Sequence, residues 1–174
     1  MTLGVLLGGD TRNLVFKKED ILDLLSQIKA VAYELDLQVL LTTSRRTHPD
    51  IAAIVKKELG DYAPCKLSLI ANEKNIPAAV EGILGLSDIV LVSPESISMI
   101  SEAANSEKLV LVFDLPGIDP KHRDFLRYFA GRRYIYLTPI ADLKKNILKL
   151  LEEKPEVLPL QDNLAVRQAI ERIL

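Results

Sequence analysis

Hydroxyl and carboxylate side chains are concentrated between Ser93 and Ala103, directly after an apolar run that ends at Val92. Glu95, Ser98 and Glu102 lie three and four residues apart, so a helix places them on one face. A helix that opens at the end of a buried strand presents free backbone N–H groups at the carboxyl edge of the sheet, where α/β proteins bind phosphorylated ligands. For Glu102, spacing alone slightly favours a surface glutamate that balances a nearby Lys or Arg.

A glycine-rich loop with the residues Gly8, Gly9, Asp10 and Thr11 follows the first predicted strand. Backbone of this flexibility can approach an anion closely. The loop lacks the complete Gly-x-Gly-x-x-Gly pattern and the lysine of a P-loop. A tight turn from strand to helix also needs glycine, so both interpretations stay open.

Adjacent arginines follow the second predicted strand. Arg45 and Arg46 stand among the hydroxyl groups of Thr43, Ser44 and Thr47. Guanidinium groups bind phosphate through forked, charge-assisted hydrogen bonds, so this loop is a candidate phosphate site. The alternative, an arginine pair in solvent at the edge of the sheet, stays open.

The sequence contains no pattern typical of a metal site or of an activated nucleophile. His48 and His122 are far apart, and neither has a carboxylate at ligand spacing. A Gly-x-Ser-x-Gly motif is absent, and Cys65 is the single cysteine, which excludes a disulfide framework. We therefore predict no metal and assign no catalytic residue.

Strands and helices alternate along the chain, and the strands are short, continuous aliphatic runs. Such runs are typical of strands buried on both faces, and helical connections between them favour parallel pairing. The sequence thus predicts an α/β fold, a doubly wound, Rossmann-like parallel sheet of about six strands with every candidate loop at one edge. The predicted strands are 5–7, 39–42, 67–70, 89–92, 109–113 and 134–136, and the predicted helices are 19–34, 49–59, 77–84, one ending near 105, 121–130 and 140–151.

The length of 174 residues is ample for one core. We expect one domain over residues 1–152, followed over 153–174 by a linker and a carboxyl-terminal helix near Asn163 to Leu174. The net charge of −2 gives no field that would attract nucleic acid. The single cysteine indicates a reducing cytoplasm, and no segment has the length of a membrane span.

Three segments together resemble a known family. They are Leu7 to Arg12, Thr42 to Thr47 and Glu95 to Ala103, in matching order and spacing, and Phe113 to Gly117 also corresponds. The family includes the plant mitochondrial-fission factor named for elongated mitochondria, and its bacterial members are often labelled nucleoside-diphosphate-sugar epimerases. This chain departs from the family at Glu95, where the family usually has Asp.

That family is similar to the carboxyl-terminal half of GT-B glycosyltransferases, such as the GlcNAc transferase of peptidoglycan synthesis. In those enzymes this half holds the nucleotide diphosphate of the donor. The resemblance implies that Glu102 binds ribose and that the glycine loop faces the same ligand. It also implies that Ser96, Ile97 and Ser98 lie at the diphosphate, and that the loop 71–76 lies near the base.

The resemblance therefore implies a nucleotide-sugar-binding domain of a GT-B-like glycosyltransferase or a related nucleotide-sugar enzyme. The expected ligand is a UDP-sugar or another nucleotide sugar, with no cofactor. In GT-B enzymes the amino-terminal domain binds the acceptor and supplies most catalytic groups, so we expect that domain as the partner. We also expect this chain to be the carboxyl-terminal half of a longer protein and inactive alone. The alternative is a non-catalytic interaction module, with peripheral membrane contact and oligomeric state left open.

Overall fold

The computed structural model describes residues 1–74, 76–158 and 160. The predicted terminal helix near Asn163 to Leu174 lies outside the described residues. The strands are β1 (Thr2–Leu7), β2 (Gln38–Thr43), β3 (Cys65–Leu69), β4 (Ile89–Val92), β5 (Leu109–Asp114) and β6 (Tyr136–Pro139). The helices are α1 (Lys18–Leu35), α2 (Pro49–Leu59), α3 (Ala79–Leu86), α4 (Ile97–Ala104), α5 (Pro120–Gly131) and α6 (Leu143–Glu153), the last preceded by a 3-10 turn (Ile140–Asp142).

All six strands pair in parallel, in the order β3-β2-β1-β4-β5-β6. This arrangement confirms the predicted doubly wound α/β fold. Helices cover both faces of the sheet, which is why the strands are continuous apolar runs. Leu3, Val5 and Leu7 of β1 belong to the core under α1, α2 and α6. Leu6 of the same strand belongs to the core under α3, α4 and α5.

The strand order reverses at β1, which pairs with β2 on one side and with β4 on the other. The helix after β1 packs on the first face of the sheet, whereas the helix after β4 packs on the second. Connections that leave neighbouring strands towards opposite faces open a crevice at the carboxyl edge. The candidate loops after β1, β2 and β4 therefore meet around this crevice.

Left-handed residues precede two of the predicted elements that are shifted along the chain. The sixth strand was predicted at 134–136 but begins at Tyr136, because Arg133 adopts a left-handed conformation (φ 62) and the Tyr134 N–H still bonds to the end of α5. The third helix was predicted at 77–84 but begins at Ala79, after Ala78 in a left-handed conformation (φ 57). Neither left-handed residue is a glycine, so composition gave no sign of a left-handed conformation at these two positions.

After α6 the chain passes from one face of the sheet to the other. Helix α6 packs over the first face through Leu143 and Ile147. Leu160 is 8% exposed and joins the core of the second face, together with Leu126 and Phe129. At least one residue beyond α6 is thus part of the hydrophobic core.

We expect Leu160→Ala to lower the free energy of unfolding by about 2 kcal/mol or more, because it removes a buried side chain and leaves a cavity. Leu158 is 36% exposed and is the matched control. Leu158→Ala should change stability by less than about 0.5 kcal/mol. Urea denaturation followed by circular dichroism measures both, and equal effects of the two substitutions would contradict the burial of Leu160.

Candidate functional site

A cleft of about 640 Å³ opens at the carboxyl edge of the sheet. Its walls are the loop after β2, the segment before α3 and the start of α4. Five of the predicted ligand residues line it: Ser44, Arg45, Arg46, Ser96 and Ser98. The fold therefore brings together the arginine loop and the start of the serine-rich helix, although β1 separates their strands.

Hydrogen bonds within the loop after β2 place its arginines at the cleft. The Ser44 Oγ accepts from the Arg46 N–H at 3.1 Å, and the Ser44 N–H donates to the Thr47 Oγ1 at 3.0 Å. Thr47 is buried, and its hydroxyl donates to the backbone carbonyl of Gly8. The turn is thus fixed to the glycine loop, while the side chains of Arg45 and Arg46 are exposed.

The start of α4 has the properties of an anion site. Ser96 is the N-cap residue but makes no side-chain capping bond, and its buried hydroxyl lies 3.4 Å from the Ser98 hydroxyl. The first turn carries no acidic residue. Uncapped N–H groups and the positive end of the helix dipole both favour a negative ligand. Ile97 has an exposed apolar side chain, so its backbone N–H is the group it offers.

Glu102 is exposed on α4. It lies four residues after Ser98, so it is one helical turn further along the same face. Glu102 is not among the residues that line the cleft. The proposed contact with ribose stays a prediction.

The backbone N–H groups of the glycine loop are bonded within the protein. The Gly8 N–H donates to the Ser93 Oγ at 2.8 Å, and the Gly9 N–H donates to the Glu95 Oε1 at 3.0 Å. A Cβ atom on Gly9 would lie 2.2 Å from the carbonyl carbon of Arg46. Glycine is therefore needed here for the close packing of three loops.

Asp10 and Thr11 shape the loop that follows the glycines. The Asp10 Oδ1 accepts from the Phe16 N–H at 2.9 Å, and the Thr11 Oγ1 accepts from the Leu14 N–H at 3.1 Å. Both side chains thus hold local backbone. Neither lines the cleft, and Thr11 lines a smaller cavity beside it.

Glu95 is a buried carboxylate at the centre of this arrangement. Its side chain is 3% exposed, and its Oε1 lies 3.8 Å from the Arg46 Nη2 in addition to its bond with Gly9. Its Oε2 has no hydrogen-bond partner among the described residues. Burial raises the pKa of the Glu95 carboxyl, although hydrogen bonds from its own backbone N–H, from Ser93 and from Gly9 and the charge of Arg46 act in the opposite direction.

The smaller cavity has a volume of about 150 Å³, and Thr11, Arg12, Glu95, Asp119 and His122 are among the residues that line it. The buried Nε2 of His122 has no hydrogen-bond partner in the part of the chain that the structure describes. Sequence patterns alone assign no function to Glu95 or His122. For Glu95 the signal was present, because it is the position at which the chain departs from the family pattern.

Within 1–74, 76–158 and 160, no cluster of His, Cys, Asp and Glu could hold a metal ion. No helix of these residues has the length and apolar character needed to cross a membrane.

Comparison with known proteins points to one family. The model of the family described as mitochondrial fission ELM1 matches residues 1–173, which is nearly the whole chain. A search of curated proteins found no match.

Two solved structures share the fold. One is a Listeria monocytogenes protein described as a UDP-N-acetylglucosamine 2-epimerase, with 20% identity and a TM-score of 0.60 over 88% of this chain and 37% of that one. The other is the UDP complex of MnaA from S. aureus, with 14% identity and a TM-score of 0.62 over 88% of this chain and 38% of that one. The chain spans less than half the length of either structure. These likenesses confirm the predicted GT-B-like fold.

We expect Gly9→Ala to destabilise the protein by about 1–3 kcal/mol, because the added methyl group would overlap the backbone at Arg46. Gly82 in α3 is the matched control, since a Cβ atom there meets nothing within 4 Å. Gly82→Ala should be neutral or stabilising, because Ala is the better helix former. Urea denaturation compares the two, and equal stabilities would contradict the close approach of the loops.

The raised pKa of Glu95 predicts how stability depends on pH. The folded protein holds this proton more tightly than the unfolded chain, so the resulting stabilisation is complete below the ordinary pKa of 4.5 and is lost as pH rises through the folded value. Glu95→Gln carries no such proton. We therefore expect the free energy of unfolding of the wild type to fall relative to that of the variant between pH 4.5 and pH 8.

Urea denaturation at several pH values tests this expectation. Glu152→Gln is the control, because Glu152 is exposed near the end of α6 and the substitution makes the same change in charge. The free energy of unfolding of Glu152→Gln should change with pH in the same way as that of the wild type. Parallel curves for Glu95→Gln would show that Glu95 keeps an ordinary pKa.

Proposed function

The chain belongs to the mitochondrial fission ELM1 family, and from this premise we propose that its cleft binds the diphosphate group of a nucleotide sugar. In this proposal the chain is the donor-binding domain of a GT-B-like glycosyltransferase or a related nucleotide-sugar enzyme. The observation that carries the proposal is the placement of Arg45 and Arg46 in the same cleft as the uncapped start of α4.

Charge supports a diphosphate as the group that is bound. Two exposed guanidinium groups face a helix start that has no acidic residue in its first turn. A hydrogen bond to a charged group contributes about 1.5–3 kcal/mol, whereas the helix dipole contributes about 0.3–1 kcal/mol. The arginines therefore provide most of the affinity, and the α4 amides and the hydroxyl groups of Ser96 and Ser98 orient the phosphates.

The dimensions of the cleft support a ligand larger than a phosphate ion. Its volume of about 640 Å³ falls within the range of roughly 300–1,000 Å³ that is usual for small-molecule sites. The lining also includes Ile76, Pro77 and Val80, an apolar surface suited to a base. Glu102, one helical turn after Ser98 on α4, is our candidate for the ribose hydroxyl groups.

A protein with this fold has been solved with UDP bound, namely MnaA from S. aureus. Because the present chain covers 38% of that protein, the comparison supports nucleotide binding and leaves the reaction to the rest of the molecule. We assign no catalytic residue to the described part of this chain. The partner in the proposed reaction is a GT-B-like amino-terminal domain.

Isothermal titration calorimetry with UDP and UDP-N-acetylglucosamine tests the proposal. We expect saturable binding by the wild type and at least a tenfold loss of affinity in Arg45→Ala, because a charge-assisted phosphate contact is removed. Glu102→Ala should weaken binding less, because it removes hydrogen bonds to neutral hydroxyl groups.

Arg127→Ala is the matched control for charge. Arg127 pairs with Asp124 on the surface of α5 and does not line the cleft, so this variant should bind like the wild type. Absence of saturable binding at millimolar nucleotide would refute the proposal. That result would favour the alternative prediction of a non-catalytic interaction module.

A further inference from the structure

Glu95 occupies the place at which a glycine loop usually offers its backbone to a phosphate. Its Oε1 accepts from the Gly9 N–H at 3.0 Å and lies 3.8 Å from the Arg46 Nη2. The first backbone loop at the point where the strand order reverses is the common phosphate position of doubly wound sheets. An amide and a guanidinium that would suit a phosphate are thus both engaged by a side chain of the protein itself.

The second oxygen of the Glu95 carboxylate, Oε2, accepts no hydrogen bond in the described part of the chain. Oε2 is buried and finds no hydrogen-bond partner within residues 1–74, 76–158 and 160. Buried polar atoms are almost always hydrogen-bonded, so an orphan of this kind requires an explanation. A carboxylic acid carries a proton on one oxygen, which makes a half-satisfied carboxyl far more favourable when it is neutral.

A phosphate oxygen at the Gly9 N–H would meet the ionised form of Glu95 directly. The two groups would compete for one donor and repel each other in a place from which water is largely excluded. The Glu95 Oε1 already fills the space beside Gly8, because a Cβ atom there would lie 1.6 Å from it. A neutral Glu95 removes the repulsion and can itself donate a hydrogen bond to the phosphate.

We propose that Glu95 is an anionic gate for the glycine loop, excluding a phosphate group while it is ionised and taking up one proton when a phosphate binds. The proposal rests on the proposed function for the identity of its natural ligand. It assigns the pH dependence of binding to a single residue that is neither at the cleft surface nor among the predicted ligands.

The other charged and titratable groups around Glu95 come from three elements. Arg46 approaches from the loop after β2, and Arg12 lines the shared cavity from the loop after β1. Asp119 and His122 line that cavity from the start of α5. Burial raises the pKa of the Glu95 carboxyl, whereas hydrogen bonds from its own backbone N–H, from Ser93 and from Gly9 and the charge of Arg46 favour the ionised form. His122 is the histidine among the groups that line this cavity.

Calorimetry with UDP-N-acetylglucosamine between pH 5.5 and pH 8.5 tests the gate. The diphosphate of this probe is doubly esterified, so the probe itself does not change charge in this range. We expect the wild-type Kd to rise with pH, by up to about tenfold per unit, whereas that of Glu95→Gln should change less than twofold. Titrations in two buffers of different ionisation enthalpy should show uptake of up to one proton by the wild type and none by the variant.

Two further variants locate the proton. Glu152→Gln makes the same change in charge on α6 and should keep the wild-type dependence on pH. His122→Gln should also keep it. The gate is refuted if Glu95→Gln retains the wild-type slope, if His122→Gln abolishes the slope instead, or if Glu95→Gln binds more weakly at every pH. Proton uptake by the wild type is measured without any variant, so a poorly folded Glu95→Gln would not prevent the test.

Sulfate separates this proposal from the proposed function, because it stays fully ionised throughout the range. Thermal unfolding in sulfate, against sodium chloride of equal ionic strength, should show stabilisation of the wild type that decreases as pH rises. Glu95→Gln should be stabilised equally at both ends of the range. Sulfate dependence without nucleotide binding would support the gate and refute the function, whereas nucleotide binding that is independent of pH would do the reverse. No sulfate effect and no proton uptake at any pH would refute the gate.

Discussion

The hydrogen bonds between the glycine loop and the loops after β2 and β4 are the interaction on which the site depends. Three side chains make these bonds, and we call the bonded region the loop joint. Ser93 and Glu95 accept from the N–H groups of Gly8 and Gly9, and Thr47 donates to the Gly8 carbonyl. These backbone groups lie just beyond the ends of the strands, where ladder pairing can no longer satisfy them. Removing one partner would leave a buried polar group at a cost of about 1–3 kcal/mol.

The loop joint also determines the shape of the cleft. Thr47 fixes the arginine turn to β1, and Glu95 leads directly into the start of α4. The two walls that carry Arg46 and Ser96 are therefore held at a defined separation by hydrogen bonds within the protein. A site built in this way is preorganised, so binding would spend little free energy on ordering the protein.

The sequence predicted the architecture well because strands that are buried on both faces of a sheet appear in it as continuous apolar runs. Residues such as Val90 and Leu91 are fully buried on a central strand, and no other element accommodates such a run so simply. The boundaries failed where Ala78 and Arg133 turn the chain in left-handed conformations without glycine. Tertiary contacts stabilise a left-handed conformation at a non-glycine residue, and the local sequence does not reveal those contacts.

The candidate site was predictable in its loops but not in its internal bonding. Spacing placed Glu95 on one helical face with Ser98 and Glu102, yet α4 begins at Ile97 and Glu95 precedes it. Its side chain therefore turns into the edge of the sheet instead of following the helix. Which loop meets the Gly9 N–H depends on the pairing of β1 with β4, which is a property of topology and not of any local pattern.

The charge of Glu95 is large enough to dominate the electrostatics of the inner cleft. Two unit charges 4 Å apart interact by about 4 kcal/mol at an effective dielectric constant of 20. The dipole of α4 contributes only about 0.3–1 kcal/mol. The difference between an ionised and a neutral Glu95 thus outweighs the helix that first suggested an anion site, and it is comparable with the contribution of one arginine. Whether the glycine loop presents a donor or a negative charge to a ligand is consequently decided by one proton on Glu95.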